Sequence, residues 1–164
     1  MSPQLRIVSL ATVLVLVAAA AVANIASGSS VRTVHVITGA QHLETLDFPP
    51  KGKSPGDVYV FDAPVLSANG RTVIGRIRGT QTAIKRERGL LTVQGMLTYE
   101  LGSGNQIVIG GLGAYPLSGA GLVRGKSFVR AVLGGTGKYA GARGTVTSKQ
   151  IAPGRYDQVF RLSY

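Results

Sequence analysis

The 164-residue chain carries 18 Lys and Arg against 7 Asp and Glu, a formal net charge of +11, with no Cys and only two His. Disulfides, thiolate metal centres and a Cys nucleophile are thereby excluded, and a Ser-His-Asp hydrolase or a multi-histidine metal site has very little material. A chain of this length forms one domain with a core of its own, and a protein without metal or cofactor is the simplest expectation.

Met1 to Arg6 carries one positive side chain, Ile7 to Ala23 is an apolar run without a charge, and Ala21-Val22-Ala23 offers small residues for a cut. This is the layout of a secretory signal peptide over residues 1–23, and the same run is long enough to serve as a short membrane anchor. Export without disulfides suggests a bacterial secreted protein stabilised by its core alone. Asn24 to Ser30 reads as a flexible linker, which leaves 31–164 as the folded domain.

Beyond the linker no helical periodicity persists. Short runs rich in Val, Ile, Thr, Tyr and Phe alternate with Gly, Asn-Gly and Pro, which predicts strands over Val31–Thr38, Asp57–Leu66, Arg71–Ile84, Leu90–Leu101, Gln106–Tyr115, Lys126–Leu133, Gly144–Ile151 and Tyr156–Ser163. Gln41–Ser54 reads as a loop with an edge piece at His42–Phe48, because Pro49-Pro50 bars a central strand. Asn69-Gly70 predicts a type I′ hairpin turn, and Arg86–Gly89 and Gly102–Asn105 predict the next two tips. No segment supplies the helical crossover that parallel strands need. Eight consecutive antiparallel strands with glycines inside them predict an all-β, eight-stranded antiparallel β-barrel, since closure removes exposed edges. A β-sandwich is the structural rival. A barrel of this size either fills its interior with side chains or holds one small ligand.

Gly135, Gly137 and Ala140 satisfy the dinucleotide fingerprint G-x-G-x-x-A, with Asp157 about 20 residues further on. The context rejects that reading, because the fingerprint must open a helix early in a βαβ unit and here a strand follows near the end of the chain. A glycine-rich turn between barrel strands is the better account.

The same segment, Leu133-Gly134-Gly135-Thr136-Gly137-Lys138-Tyr139 followed by Gly141-Ala142-Arg143-Gly144, resembles the signature of plant dirigent proteins. Gly56–Asp62 and Gly75-Arg76-Ile77-Arg78-Gly79 fall where that family has an early acidic strand and a Gly-Arg-x-x-Gly strand, and the tail Gly141–Leu162 is similar to plant allene oxide cyclases. The resemblance spans roughly Gly56 to Tyr164. It implies a secreted bacterial relative of the allene oxide cyclase and dirigent barrels: a trimer with a deep, mostly apolar cavity and no cofactor, binding a hydrophobic small molecule and guiding its stereoselective cyclisation or coupling. A non-catalytic binding barrel, or one associated with the cell envelope, is the alternative.

By that resemblance Asp62 matches the aspartate ending the first barrel strand, where dirigent proteins use acids for proton transfer, and Arg143 matches the Ala-Arg-Gly arginine beside their pocket. This chain departs from the pattern where dirigent proteins often have a second acid, placing Arg130-Ala131-Val132 there. Read bottom-up, Asp62 before Ala63-Pro64 is also a turn-shaping residue at a strand end, and alternation lets Glu100 face either the cavity or solvent. Asp62 and Glu100 are the candidate catalytic acids. Tyr59, Tyr99 and Tyr115 are candidate cavity residues or packing aromatics. Arg76 and Arg78 share one face, so they bind a substrate carboxylate if it points inward and belong to the basic surface if it points outward. His35, between Val34 and Val36, reads as exposed or satisfied rather than as a base. Lys85-Arg86-Arg88, Arg124-Lys126-Arg130 and Lys138-Arg143 read as charges spread over several tips. They favour anionic wall polymers or lipid headgroups, and without stacking aromatics they do not read as a specific nucleic-acid site.

Overall fold

The computed structural model describes residues 30–164 apart from 119–120 and 123–124; the expected leader and all of the linker except Ser30 lie outside the described residues. The strands are β1 (Arg32–Thr38), β2 (His42–Leu46), β3 (Val58–Ser67), β4 (Val73–Glu87), β5 (Leu90–Glu100), β6 (Gln106–Pro116), β7 (Ser127–Thr136), β8 (Arg143–Ala152) and β9 (Arg155–Ser163). One 3-10 turn, Gly137–Tyr139, joins β7 to β8. All pairings are antiparallel, in the order β1-β9-β8-β7-β6-β5-β4-β3-β2.

The end of β1 also pairs with β3, from Val36↔Ser67 to Thr38↔Val65, and this contact closes an eight-stranded barrel. The strand β2 occupies the other half of the same β3 edge, His42↔Asp62 to Leu46↔Val58, as the expected edge piece. The barrel is therefore sealed at the β1 end of β3 and flares where β2 takes over.

Inside the strands the period-2 alternation holds. Tyr59, Phe61, Ala63 and Val65 of β3 point inward, as do Ile77, Gln81 and Ala83 of β4 and the odd-numbered residues 91–99 of β5. One end is filled by a cluster that includes Val65, Ile77, Tyr99, Ile107, Val146, Phe160 and Leu162. Tyr99 and Phe160 meet there edge to face, with centroids 4.9 Å apart, the preferred geometry of an aromatic pair.

The glycine-rich signature builds this closed end. Tyr139 and Ala142 are buried in the cluster, and a Cβ on Gly135 would sit 2.5 Å from the Gln106 carbonyl oxygen. Gly144 has φ +130°, and its Cβ would meet the Arg161 carbonyl oxygen at 2.0 Å. Only glycine lets the β7–β8 corner approach its neighbours this closely.

The turns depart from the sequence reading at one point. Positive φ at both central residues, the mark of a type I′ hairpin, occurs at Arg88 (50°) and Gly89 (76°), between the paired Glu87 and Leu90. At Asn69-Gly70 only the glycine has positive φ. Asn69 instead uses its side-chain Oδ1 to accept from the Arg71 amide at 3.1 Å, shaping a wider loop.

Candidate functional site

The other end of the barrel is not filled. Above the closed cluster lies a layer of buried polar side chains: Thr38, Gln81, Arg130, Ser148 and Gln158. Above that, Tyr59, Ala83, Leu91 and Val93, with Tyr115 and Leu117 against them, form the wall of the open end. A cavity of about 170 Å³ opens here, with Leu43 of β2, Phe61, Leu91 and Val93 on its apolar sides and Gln41, Lys53, Tyr59, Gln81 and Tyr115 as its polar lining. A smaller recess of about 40 Å³ continues inward past Gln81 and Tyr115 to Arg130, Ser148, Tyr156 and Gln158.

Two hydrogen-bonded groups order the polar layer. The Gln81 amide (Nε2) and the Arg130 guanidinium (Nη2) both donate to the Tyr115 hydroxyl, at 3.2 and 2.8 Å. Ser148 Oγ donates to Gln158 Oε1 at 2.6 Å, and Gln158 Nε2 donates to Thr38 Oγ1 at 3.2 Å. The Tyr115 ring stacks on Phe128, with centroids 6.2 Å apart, which fixes where its hydroxyl sits. Glycines on the inner face leave room for these side chains: a Cβ on Gly113 would lie 2.5 Å from Arg130 Nη2, and one on Gly95 would lie 2.9 Å from Gln81 Cγ.

Arg130 is the unusual group. It is only 6% exposed, and it pairs with no carboxylate among the described residues. Arginine is almost never buried unpaired. Its Nε is a buried polar atom without a hydrogen-bond partner among the described residues, and the side chain borders the recess at the inner end of the cavity. Burial pushes the ionisation of Tyr99 and Tyr156 upward, and that of Tyr59 upward with help from the negative charge of nearby Asp57. These phenols are therefore neutral donors rather than bases at neutral pH.

The candidate site of the sequence reading divides by strand parity. Tyr59, Tyr99 and Tyr115 face inward and line the cavity or its recess. Asp62 and Glu100 face outward and are corrected as cavity acids: Asp62 accepts two bonds from Arg76, at 3.0 and 2.6 Å, and Glu100 accepts one from Arg78 at 2.6 Å. Even-numbered residues of β3 to β5 point to solvent, so these four form an exposed ion-pair ladder on the outer wall. The Arg76 bond and charge hold the Asp62 carboxyl below the usual carboxylate range. Arg76 and Arg78 thus belong to the surface rather than to a substrate site. Arg143 is likewise exposed, its guanidinium turned back to the Ala142 carbonyl at 2.9 Å at the closed end, away from the cavity.

Asp57, the acid of opposite parity to Asp62, is buried but committed to the β2–β3 loop, accepting from the amides of Phe48 and Ser54 at 3.1 and 2.8 Å. His35 faces outward and is satisfied by Asp157. Sequence reasoning missed Arg130, which it placed among surface charges; Arg124 of that group lies outside the described residues. The available signal was parity, because Arg130 shares its face with Phe128 and Val132. That strand is apolar on both faces, so the signal was weak. No carboxylate lines the cavity among the described residues, and none contains a cluster able to hold a metal ion.

No protein-family profile matches the sequence, and no curated protein matches it. Solved structures do. The chain is similar to a pyocyanin demethylase, at 22% identity and a TM-score of 0.65 over 80% of this chain and 99% of the other. It is similar to a pterocarpan synthase dirigent protein, at 16% identity and a TM-score of 0.60 over 83% and 89%. A Diels–Alderase from Streptomyces koyangensis matches at 14% identity and a TM-score of 0.56 over 84% and 70%. The expected fold stands on both the strand pairing and these likenesses: the chain has the eight-stranded barrel shared by dirigent proteins and Diels–Alderase-type cyclases.

Proposed function

We propose that this is a secreted barrel that binds a compact hydrophobic molecule in its open-ended cavity and guides the stereoselective cyclisation or coupling of that molecule without a cofactor. The observation that carries the reading is the unfilled end of the barrel, where an apolar wall faces the Arg130–Tyr115 pair. The dirigent protein and the Diels–Alderase among the similar structures support the reaction class, while the demethylase is a reminder that one barrel hosts different chemistries.

Such a site works by shape and polarity. Holding a flexible reactant near its reactive conformer contributes several kcal/mol through orientation. Fixed donors aimed at a carbonyl oxygen stabilise the charge that develops there during bond formation. Because the described lining has no carboxylate, the fitting reactions are those that need no acid–base relay. The same feature favours the second reading, a barrel that binds its ligand without turnover.

A homo-oligomer, and specifically a trimer, belongs to the same proposal. The outward residues Met96, Leu112, Val129 and Leu133 are exposed apolar side chains on neighbouring strands β5 to β7, a patch of the kind that marks an interface. The secreted protein is to be exposed to a culture extract of its source and then weighed by native mass spectrometry. A trimer retaining an apolar metabolite that it then converts supports the reading. Retention without conversion favours the carrier, and an empty barrel overturns both.

A further inference from the structure

We infer that the ligand of this cavity is a compact apolar monocarboxylate, its anionic group held by Arg130 and Tyr115 at the inner end of the cavity. The inference rests on the small-molecule reading above and narrows it to a substrate class.

The charge balance of the interior carries it. Arg130 is buried within the barrel, its guanidinium faces no carboxylate among the described residues, and Nε meets no partner. A buried cation without a counter-charge is costly in the empty barrel and becomes favourable once an anion supplies that charge. The second cation of the lining, Lys53, stands at the cavity with its Nζ donating to the Pro116 carbonyl at 3.3 Å, so the described lining is positive and contains no acid. A neutral ligand would leave the charge of Arg130 uncompensated.

The geometry suits a carboxylate. One arm of the guanidinium, Nη2, is committed to the Tyr115 hydroxyl, which also accepts from Gln81. With both acceptor positions of the phenol engaged, its own proton is left to donate, beside the unpartnered Nε. Two donors on adjacent groups match the two oxygens of a carboxylate. The seat is built into the backbone, since a side chain at Gly113 would overlap the guanidinium.

The volume sets the body of the ligand. About 170 Å³ plus the 40 Å³ recess is the scale of a cavity that takes up one benzene ring, about 150 Å³ in an engineered apolar site. The cavity therefore holds one ring or a short branched chain beyond the carboxylate, and anything longer extends through the mouth beside Leu43.

The test compares benzoate with benzamide, which share a shape and differ in charge, by NMR titration of the full-length protein followed at Gln81, Gly113 and Tyr115. Benzoate is expected to bind at least about tenfold more tightly, the usual advantage of a charge-assisted contact. That preference should vanish in Arg130→Met and fall in Gly113→Ala while benzamide binding persists. Equal binding of the two probes, or a preference that survives Arg130→Met, overturns the carboxylate assignment and leaves the cavity reading standing. Shifts confined to surface residues and abolished by about 0.5 M salt identify adsorption to the basic exterior and also overturn it. If neither probe perturbs the cavity residues, the small-molecule reading fails and the assignment fails with it.

Discussion

Arg130 donates a 2.8 Å hydrogen bond to the hydroxyl of Tyr115 across the inner end of the cavity, so that a strand β7 cation and a strand β6 phenol act as one donor group. The pair is held by packing on each side: Tyr115 stacks on Phe128, and Gly113 leaves the space that the guanidinium fills. The guanidinium is buried without a carboxylate partner among the described residues, at a cost in stability.

Replacing Arg130 with Met removes an uncompensated buried charge and keeps most of the side-chain volume. The variant is expected to be more stable than the parent by about 1 kcal/mol or more, as exchanges of buried charges for apolar residues often are. Urea unfolding at neutral pH checks this. A variant less stable than the parent would mean that the bond to Tyr115 outweighs the desolvation of the guanidinium.

Gly113→Ala and Gly144→Ala should separate site from scaffold. At Gly113 the new Cβ meets the mobile end of Arg130 at 2.5 Å and the edge of Tyr115 at 3.0 Å. The guanidinium can swing away, so the cost in stability stays within about 1–2 kcal/mol while carboxylate affinity falls. At Gly144 the Cβ meets a carbonyl oxygen of β9 at 2.0 Å with φ at +130°. Backbone must move there, and a loss above about 2 kcal/mol is expected. Unfolding curves and ligand titrations on both variants make the comparison.

Asp62→Asn and Glu100→Gln remove acids of the exposed ladder and should leave ligand binding and turnover unchanged. Solvent-exposed pairs of this kind contribute little to stability, because water and salt screen them. A large loss of turnover in either variant, with the fold intact, would restore an acid role to the outer wall.

The pH dependence of Asp62 has a definite sign. Arg76 holds its carboxyl below the ordinary range, so its contribution is present above the unfolded value, about pH 4, and fades as pH falls through the lower folded value. Stability of the parent minus that of Asp62→Asn should therefore shrink below about pH 4. A difference that grows on acidification would contradict the assignment.

Much of the barrel was legible in the chain. Residues such as Tyr59-Val60-Phe61 and Leu91-Thr92-Val93 follow the alternation of a half-buried strand, and Gly or Pro marks nearly every tip. The type I′ turn was expected at Asn69-Gly70 and formed at Arg88-Gly89, because strand register determines which pair must turn with positive φ. The glycine signature at 134–144 was visible as a motif, but its task of closing the barrel end became evident only from the carbonyl oxygens its glycines approach.

The sequence by itself determined the strands, their antiparallel order and the lack of cysteine chemistry, since these depend on local alternation, turn residues and composition. The tertiary structure decided which face of each strand is the inside. That choice turned Asp62, Arg76, Arg78 and Glu100 into a solvent-facing ladder and drew Arg130 inward. A one-residue change of parity moves a side chain across the sheet, and in strands such as β7, apolar on both faces, only closure of the barrel selects the parity.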